Sequence, residues 1–446
     1  MYPDLKSKSA ELFARAQNVM PSGYTRHMVV SPPYPIYADH AEGCWITDVD
    51  GNRYIDFVNN FTALIHGHGQ KEIVDVVSSQ AHKLMSAILP CEAELQLAEL
   101  LQERIPGVEL VRFMNSGTEA VMIAVKAARA YTQRSKIAKM EGGYHGQYDL
   151  IEISHRPAPD KWGPADHPTS VGHQFATPQS LLDEVVVMPT NDIETTRQLI
   201  RENAGELAAV LIDPYRIHLG NIQPTVEYLQ MLRDETSKHG IVLIFDEVMC
   251  LRVGYHGRQG QVGITPDLTT MGKIIGGGLP IGSLGGTRDM MSVFELDGMD
   301  VKIKHSGTFT ANGMSMAAGF AGMSLLTPEV FTEMDRQGNR LRTGLNAAIK
   351  EAGLAAHAVG EGSLSSVALT DKPVQNFREL ASMFTPEFLQ KSMALQHALL
   401  NEGVLTMRGM FVASTPMTKN DIDFTIEAAG RAFRKLAFQV EKAANG

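Results

Sequence analysis

Residues 241–248 of the chain read IVLIFDEV, and residues 269–278 read TTMGKIIGGG. The run 241–245 is too continuously apolar for a strand with one face in water, and is typical of a parallel strand covered by helices on both faces. Asp246 ends that run, and Lys273 precedes the glycine triplet of the second stretch. Because α/β proteins bind ligands at the carboxyl ends of such strands, the two stretches predict an α/β fold with a ligand site around Asp246 and Lys273.

Asp246 and Lys273 taken singly also suit ordinary roles, a helix cap and a surface lysine. Taken together they match the needs of pyridoxal phosphate. An amine must form a Schiff base with the aldehyde, and a lysine does so where a desolvated site favours its neutral form. A carboxylate must lie against the pyridine nitrogen and keep it protonated. The pair therefore predicts Lys273 as the Schiff-base lysine and Asp246 as the partner of the ring nitrogen.

Strand and helix patterns alternate through the middle of the chain, as in a parallel sheet with crossover helices. The predicted strands and helices include LVRFM and KIAKM, the buried ELAAVLI, and VEYLQMLRDETSKH, which Gly240 stops. Residues 34–57 alternate around a D-G-N turn and predict antiparallel strands. From about residue 327 a long amphipathic helix leads into mixed segments. We expect a large domain over residues 71–320, and a smaller α+β domain formed by residues 1–70 together with 321–446.

The phosphate of such a cofactor is expected at Asn115-Ser116-Gly117-Thr118-Glu119, a predicted strand-to-helix turn. Free N–H groups and the dipole at a helix N-terminus attract anions, and the two hydroxyls add hydrogen bonds. The same residues suit a simple helix cap, in which Ser is followed three residues later by Glu. A nucleotide P-loop is disfavoured because Ile, and not Ser or Thr, follows Lys273.

Two further loops carry candidate contacts. The glycine-rich and flexible GGYHG segment offers Tyr144, which could stack on the pyridine ring or serve ordinary packing. The HSGTF segment at 305–309 offers hydroxyl and backbone groups suited to a phosphate.

Composition excludes several classes of protein. The net charge of −10 gives a nucleic-acid role no electrostatic support. Cys44, Cys91 and Cys250 are widely spaced, which fits a reducing cytosol and no structural zinc. No apolar stretch reaches the roughly 18 residues that span a bilayer. We therefore expect a soluble cytoplasmic protein. His66 and His68 are expected to be loop residues without a carboxylate nearby, so we expect that the protein needs no metal.

The chain resembles the class III aminotransferases of pyridoxal-phosphate fold type I. The resemblance lies in five motifs between residues 114 and 309: MNSGTEA, GGYHG, IFDEVM, DLTTMGKIIGGGLPIGSLGG and HSGTF. The resemblance implies a homodimer whose active sites are shared between subunits. It implies that Val248 lies on the ring face opposite Tyr144, and that Thr308 reaches the phosphate of the neighbouring subunit. The implied cofactor-binding residues are Ser116, Gly117, Thr118, Tyr144, Asp246, Val248, Lys273 and Thr308.

Arginines that can grip carboxylates bidentately bear on the substrate. Arg26 and Arg408 resemble in position the carboxylate-binding arginines of β-amino acid aminotransferases such as β-phenylalanine aminotransferase, although each also suits a surface role. This implies ping-pong transfer of an amino group from an amino acid, a β-amino acid in particular, to a keto acid such as 2-oxoglutarate or pyruvate. Glutamate-1-semialdehyde aminomutase is an alternative that generally lacks an arginine like Arg408, and D-phenylglycine aminotransferase is one residue longer after its DEV motif.

Two other classes remain open. An aminomutase or racemase would use the same lysine and carboxylate but return the amino group to the same skeleton. A non-catalytic cofactor-binding sensor is disfavoured by the complete set of Lys273, Asp246 and Tyr144.

One stretch departs from the family pattern. Asp213-Pro214 stands where Glu-Pro is common, and Tyr215, Arg216 and His218 follow it. Arg216 is expected either to hold a substrate carboxylate or to pair with Asp213.

Overall fold

The computed structural model of the 446-residue chain describes residues 2–27, 31–216, 222–297, 300–370 and 373–444. Contacts divide the chain into two compact units. Unit 1 comprises Met1–Gln70, Thr332–Pro373 and Phe384–Gly446, and unit 2 comprises Lys71–Phe331 and Val374–Met383. The division differs from the expected boundary after residue 320 because Phe331 packs within unit 2, where its ring centroid lies 6.4 Å from that of Tyr255.

The elements are numbered along the chain. The α-helices are α1 (Lys8–Ala16), α2 (Asn59–Thr62), α3 (Lys71–Lys83), α4 (Glu92–Arg104), α5 (Gly117–Thr132), α6 (Asp149–Glu152), α7 (Gln179–Leu182), α8 (Ile193–Glu202), α9 (Val226–His239), α10 (Gly257–Val262), α11 (Arg288–Met291), α12 (Gly313–Ser324), α13 (Pro328–Glu351), α14 (Phe377–Ser382), α15 (Pro386–Asn401) and α16 (Lys419–Ala444). The strands are β1 (Ala38–Glu42), β2 (Trp45–Asp48), β3 (Arg53–Asp56), β4 (Leu110–Met114), β5 (Lys136–Met140), β6 (Val185–Met188), β7 (Leu207–Ile212), β8 (Val242–Asp246), β9 (Leu268–Gly272), β10 (Gly282–Gly286), β11 (His357–Glu361), β12 (Leu364–Ala368), β13 (Val404–Leu405) and β14 (Met410–Val412). Short 3₁₀ helices include Cys250–Val253 and Lys273–Gly276.

Unit 2 is built on a seven-stranded sheet of order β4-β10-β9-β8-β7-β5-β6 within the described residues. Only β10 runs antiparallel to its neighbours. The predicted α/β fold with a mainly parallel sheet is confirmed. The central strands β7, β8 and β9 are buried along their whole length, which explains the apolar runs of β7 and β8.

Helices cover both faces of this sheet. Side chains alternate along β8, so that Ile244 packs into the core that contains α5, whereas Leu243 and Phe245 pack into the core that contains α9. The predicted end of α9 is confirmed, because Gly240 adopts the left-handed conformation with φ of 61°.

The parallel strands bring the candidate residues to one edge of the sheet. Candidate residues lie at or after five strand ends: Asp213 and Lys273 directly follow β7 and β9, Asp246 is the last residue of β8, and Ser116 and Tyr144 lie in the loops that follow β4 and β5. Residues far apart in sequence therefore meet where the parallel strands end.

Unit 1 contains a sheet of order β1-β2-β3-β13 and a second sheet of order β11-β12-β14. The antiparallel strands predicted around the D-G-N turn are confirmed as β1, β2 and β3. The long helix predicted after residue 327 is α13. Leu341 of α13, Phe411 of β14 and Phe433 of α16 share one buried core.

His66 and His68 lie in unit 1, and the expectation that no carboxylate lies near them is wrong. His68 Nε2 lies 2.9 Å from Asp56 Oδ2, at the end of β3. The fold brings them together because β3 turns back into this loop. In the part of the chain that the structure describes, no group of three or more His, Cys, Asp or Glu side chains is placed to hold a metal ion. Likewise, none of the described helices is both long and apolar enough to cross a bilayer.

Candidate active site

Asp246 is a buried carboxylate held from three directions. Its Oδ1 accepts hydrogen bonds from Thr270 Oγ1 at 2.9 Å and from the Val248 amide at 3.2 Å. Its Oδ2 lies 2.8 Å from His145 Nδ1. Thr270 stands opposite Asp246 in the parallel register of β8 and β9. The carboxylate is therefore oriented by an adjacent strand, its own backbone and a loop that follows β5.

His145 is fully enclosed beside Asp246, and burial lowers the pKa of its imidazole. A neutral ring that faces a carboxylate through Nδ1 carries its proton there, so we assign the Nδ1–H tautomer and donation to Asp246. Its buried Nε2 has no hydrogen-bond partner among the described residues. Neither His145 nor Thr270 was predicted as a site residue. Thr270 could have been found from the register of two adjacent parallel strands, whereas no spacing in the sequence links His145 to Asp246.

Lys273 directly follows β9 and begins a 3₁₀ helix in the left-handed conformation, with φ of 51°. Such backbone strain in a non-glycine residue concentrates at functional sites. Burial lowers the pKa of its ammonium, while the carboxyls of Asp246 and Asp213 act in the opposite direction. The lysine thus lies near the Asp246 carboxylate, in a setting that favours release of its proton.

The predicted phosphate turn lies at the N-terminus of the 16-residue α5. Ser116 is the N-cap, and its Oγ accepts a hydrogen bond from the Glu119 amide at 3.1 Å. The Glu119 carboxylate accepts one from the Asn115 amide at 2.8 Å. The helix-cap interpretation is therefore realised, and it does not exclude anion binding. The N–H groups of Gly117 and Thr118 have no partner within the helix, and the Ser116 hydroxyl keeps its proton to donate.

Val248 packs directly on this turn. A Cβ atom added to Gly117 would lie 2.8 Å from Val248 Cγ1, closer than real Cβ contacts come. An added Cβ on Gly272 would lie 3.4 Å from the same methyl group. Val248 therefore packs closely against both Gly117 of the phosphate turn and Gly272, the residue before Lys273.

Tyr144 lies on the loop between β5 and α6, half-exposed, with its ring centroid 5.0 Å from that of His155. Burial of the other part of the Tyr144 side chain raises the pKa of its phenol. The loop that was expected to be flexible is tied at several points. The Gly142 amide donates to Ser154 O at 2.8 Å, and Arg378 forms an ion pair with Glu141 at 2.9 Å.

Asp213 and Arg216 follow β7, and the expected pairing between them is wrong. The buried Arg216 donates through Nη1 to Thr190 Oγ1 at 2.9 Å, and its Nε and Nη2 have no partner among the described residues. Burial and the nearby Asp246 carboxylate raise the pKa of Asp213 to about 8. Tyr215 is fully buried, and His218 lies outside the described residues.

The HSGTF segment presents Thr308 and Phe309 to solvent. Arg112 on β4 anchors the segment, donating to His305 Nδ1 at 3.1 Å and to His305 O at 3.0 Å. Among the residues that the structure describes, no hydrogen bond or ion pair links Thr308 to Lys273.

Arg26 and Arg408 both lie in unit 1. Arg26 Nη1 donates to Asn60 Oδ1 at 2.8 Å. Arg408 is exposed and has a left-handed backbone with φ of 50°. Its guanidinium forms no hydrogen bond or ion pair with any residue that the structure describes, although its amide donates to Gln396 Oε1 at 3.4 Å.

The residues of unit 2 fit pyridoxal phosphate. The N-terminus of α5 offers N–H groups that have no partner within the helix. Its first residue, Gly117, packs against Val248. The Asp246 carboxylate is oriented by His145, and Lys273 is an amine that burial inclines to lose its proton.

Comparison with known proteins decides the family. The model of the class III aminotransferases matches residues 28–426. The chain belongs to the class III aminotransferases. It is 38% identical over 433 residues to glutamate-1-semialdehyde 2,1-aminomutase 2 of Halalkalibacterium halodurans, an alignment that covers 96% of this chain and 98% of that protein.

Two solved structures are also similar to this class III chain. An omega-transaminase from Sphaerobacter thermophilus is 43% identical with a TM-score of 0.94, and the match covers 98% of this chain and 99% of that one. A beta-phenylalanine aminotransferase from Variovorax paradoxus is 35% identical with a TM-score of 0.84, covering 95% of this chain and 92% of that one. The predicted family, fold type I and enzyme class are confirmed, and the cofactor is pyridoxal 5′-phosphate.

The contact between Gly117 and Val248 yields a test. Gly117→Ala should lower the unfolding temperature of the apoenzyme, because overpacking costs about 1–3 kcal/mol. Adding Val248→Ala removes the methyl groups that the new Cβ meets, so the double variant should recover stability relative to the sum of the single changes. Gly205→Ala, whose added Cβ meets nothing within 4 Å, is the matched control. Strict additivity of the two changes would contradict the contact.

Proposed function

We propose that this class III enzyme transfers the amino group of a β-amino acid to a keto acid such as 2-oxoglutarate or pyruvate, in two half-reactions at one site. Lys273 and Asp246 are the proposed catalytic residues. The position of Lys273 directly after β9 and of Asp246 at the end of β8 carries the proposal of aminotransferase chemistry. Arg408, whose exposed guanidinium has no partner among the described residues, carries the proposal of a carboxylate-bearing substrate.

Lys273 is proposed as the residue that holds the cofactor covalently and moves the proton. Pyridoxal phosphate, when bound, supplies an aldehyde that takes up amino groups and a ring that withdraws electrons from the substrate carbon. With the cofactor bound, Lys273 would act as general base and then general acid for the proton of the substrate carbon. Its lowered pKa supports the first of these roles.

The remaining residues around Lys273 are proposed to orient the cofactor. Asp246 partners the ring nitrogen, while its hydrogen bonds to His145 and Thr270 hold the carboxylate in place. The proposed phosphate contacts are Ser116, Gly117 and Thr118, and the proposed ring contacts are Tyr144 and Val248.

Arg26 and Arg408 are proposed to bind substrate carboxylates. A guanidinium offers a planar fork of donors that matches a carboxylate. Arg408 has no competing acid among the described residues, and Arg26 is engaged by a neutral amide alone. The 35% identity to a beta-phenylalanine aminotransferase supports a β-amino acid as donor.

A second candidate function is that of an aminomutase, which returns the amino group to the same carbon skeleton. The 38% identity to a glutamate-1-semialdehyde 2,1-aminomutase favours it. Both functions would use Lys273 and Asp246 in the same way, so they differ in whether the deaminated product leaves.

The enzyme loaded with pyridoxal phosphate distinguishes the two when it is given a donor alone. With β-phenylalanine or another β-amino acid, we expect one equivalent of pyridoxamine phosphate and one of free keto acid per site, measured by liquid chromatography. A panel of α-amino acids should react more slowly. Lys273→Ala should yield less than a thousandth of the wild-type rate, because the proton then lacks its carrier. An isomerised amine with no free keto product would favour the aminomutase.

Arg408→Ala should raise KM for 2-oxoglutarate by about 10- to 100-fold, since a lost charged hydrogen-bonding partner is worth roughly 1.5–3 kcal/mol. It should leave KM for an amine donor without a carboxylate within about twofold of wild type. Steady-state kinetics with both substrates measure the difference. Arg336→Ala is the control, because Arg336 is an exposed arginine that pairs with Glu333 on its own helix. Equal effects on both substrates would contradict carboxylate binding by Arg408.

We further propose that two copies form a homodimer with shared active sites. Unit 2 exposes an apolar patch formed by Met85, Ile88, Leu89 and Phe309. Its parts adjoin, because Asn312 Nδ2 donates to Met85 O at 3.4 Å while the Asn312 amide donates to Phe309 O at 3.1 Å. Ile88 is 100% exposed in the single chain. An apolar patch of this kind, beside the Thr308 loop, suits burial against a second copy.

Ile88→Asp should convert the dimer to monomers, because an unpaired carboxylate in an apolar interface is costly to bury. Light scattering after size-exclusion chromatography measures the mass. Phe175→Asp replaces another fully exposed apolar residue of unit 2 outside the patch and should leave the dimer intact. A wild-type protein that elutes as a monomer would overturn the proposal.

The cysteines support a cytoplasmic location. Cys44, Cys91 and Cys250 are free thiols in the structure. We infer that the enzyme works in a reducing compartment, the cytoplasm.

A further inference from the structure

Lys139 is a lysine of unit 2 with 0% of its surface exposed. It lies on β5, and its Nζ donates to three backbone carbonyls: Gly143 O at 3.0 Å, Ile151 O at 2.6 Å and Ile153 O at 2.7 Å. Lysine is almost never fully buried without partners. The three carbonyls use all three N–H donors of the ammonium.

The three carbonyls belong to the two ends of one loop. Gly143 immediately precedes Tyr144 and His145, whereas Ile151 and Ile153 lie at α6, where the loop ends. The Lys139 ammonium therefore links the start of the segment 143–153 to its end. His145, near the start of that segment, reaches Asp246 at 2.8 Å.

Burial makes this lysine an expensive choice for a core position. It lowers the pKa of Lys139 to about 7, and the charge of Arg216 acts in the same direction while Glu152 opposes it. A methionine of similar length would avoid this penalty but would leave three carbonyls without their donor. The benefit of the ammonium must therefore lie in the loop that it ties.

We propose that Lys139 is a positioning residue for the cofactor site, which acts by holding the Tyr144–His145 loop so that His145 meets Asp246. Lys139 does not touch Asp246 or Lys273 in any recorded contact. It acts on the carboxylate only through the loop. The proposal depends on pyridoxal phosphate as cofactor and is independent of which amino acid is the donor.

The same strand provides a matched control. Lys136 begins β5 and pairs at its surface with Glu206, Nζ to Oε2, at 2.7 Å. Lys139→Met and Lys136→Met make the same chemical change, and only the first removes donors from the loop. Hydrogen exchange of the apoenzyme, followed by mass spectrometry, tests the loop without cofactor or turnover. In Lys139→Met we expect amides of 141–155 to exchange at least tenfold faster, with β7 and β8 unchanged.

Cofactor affinity is the second measurement. The Kd of the apoenzyme for pyridoxal phosphate should rise at least tenfold in Lys139→Met and less than twofold in Lys136→Met. For any amine donor that the wild type accepts, kcat should fall more than KM rises, because Lys139 contacts no substrate.

Two outcomes would overturn the proposal. One is a folded Lys139→Met protein whose loop exchange and cofactor Kd equal those of Lys136→Met. The other is exchange that increases uniformly across unit 2, which would make Lys139 a general stabiliser of the core. If Lys139→Met does not fold, Lys139→Gln against Lys136→Gln decides in the same way. The amide retains two N–H donors, and the loop should then exchange at a rate between wild type and full loss.

Discussion

The structure of unit 2 depends on one buried carboxylate, that of Asp246. A carboxylate removed from water must be compensated by donors in fixed positions. Here they come from Thr270 on the neighbouring strand, from the Val248 amide and from His145. The first of these fixes the register of β8 against β9, with Asp246 opposite Thr270. Since Lys273 follows Thr270 by three residues, the same register determines how far the lysine lies beyond the end of the sheet.

The features of the fold that the sequence predicts are those with local causes. Unbroken apolar runs identify β7 and β8 as strands covered on both faces, and Gly240 marks the end of α9 through its left-handed backbone. Contacts between distant segments have no such local signal. His145 meets Asp246 across 101 residues, and Arg378 meets Glu141 across 237. Both contacts depend on how loops fold over the sheet edge. The motif GGYHG therefore predicts a role for Tyr144 but gives no signal for the contact that His145 makes.

Asp213 illustrates why spacing alone misjudges a charge pair. An acid and an arginine three residues apart predict an ion pair, provided that both are charged. Burial beside Asp246 raises the pKa of Asp213 to about 8, so its neutral form avoids a second negative charge next to the first. The charge of Arg216 opposes that rise in pKa, yet the two side chains form no ion pair in the described part of the chain, and Arg216 Nη1 donates to Thr190.

Chemistry and substrate selection reside in different kinds of structure in this chain. Lys273 and Asp246 lie at the ends of buried strands, where packing fixes their position, and such positions suit any reaction that moves an amino group on pyridoxal phosphate. Similar identities to an aminomutase and to transaminases follow from that shared framework. Arg408 lies instead on an exposed turn with a left-handed backbone, which costs an arginine on the order of 1–2 kcal/mol. The Arg408 guanidinium has no partner in the part of the chain that the structure describes, and the proposed substrate carboxylate would match its charge and its planar donors.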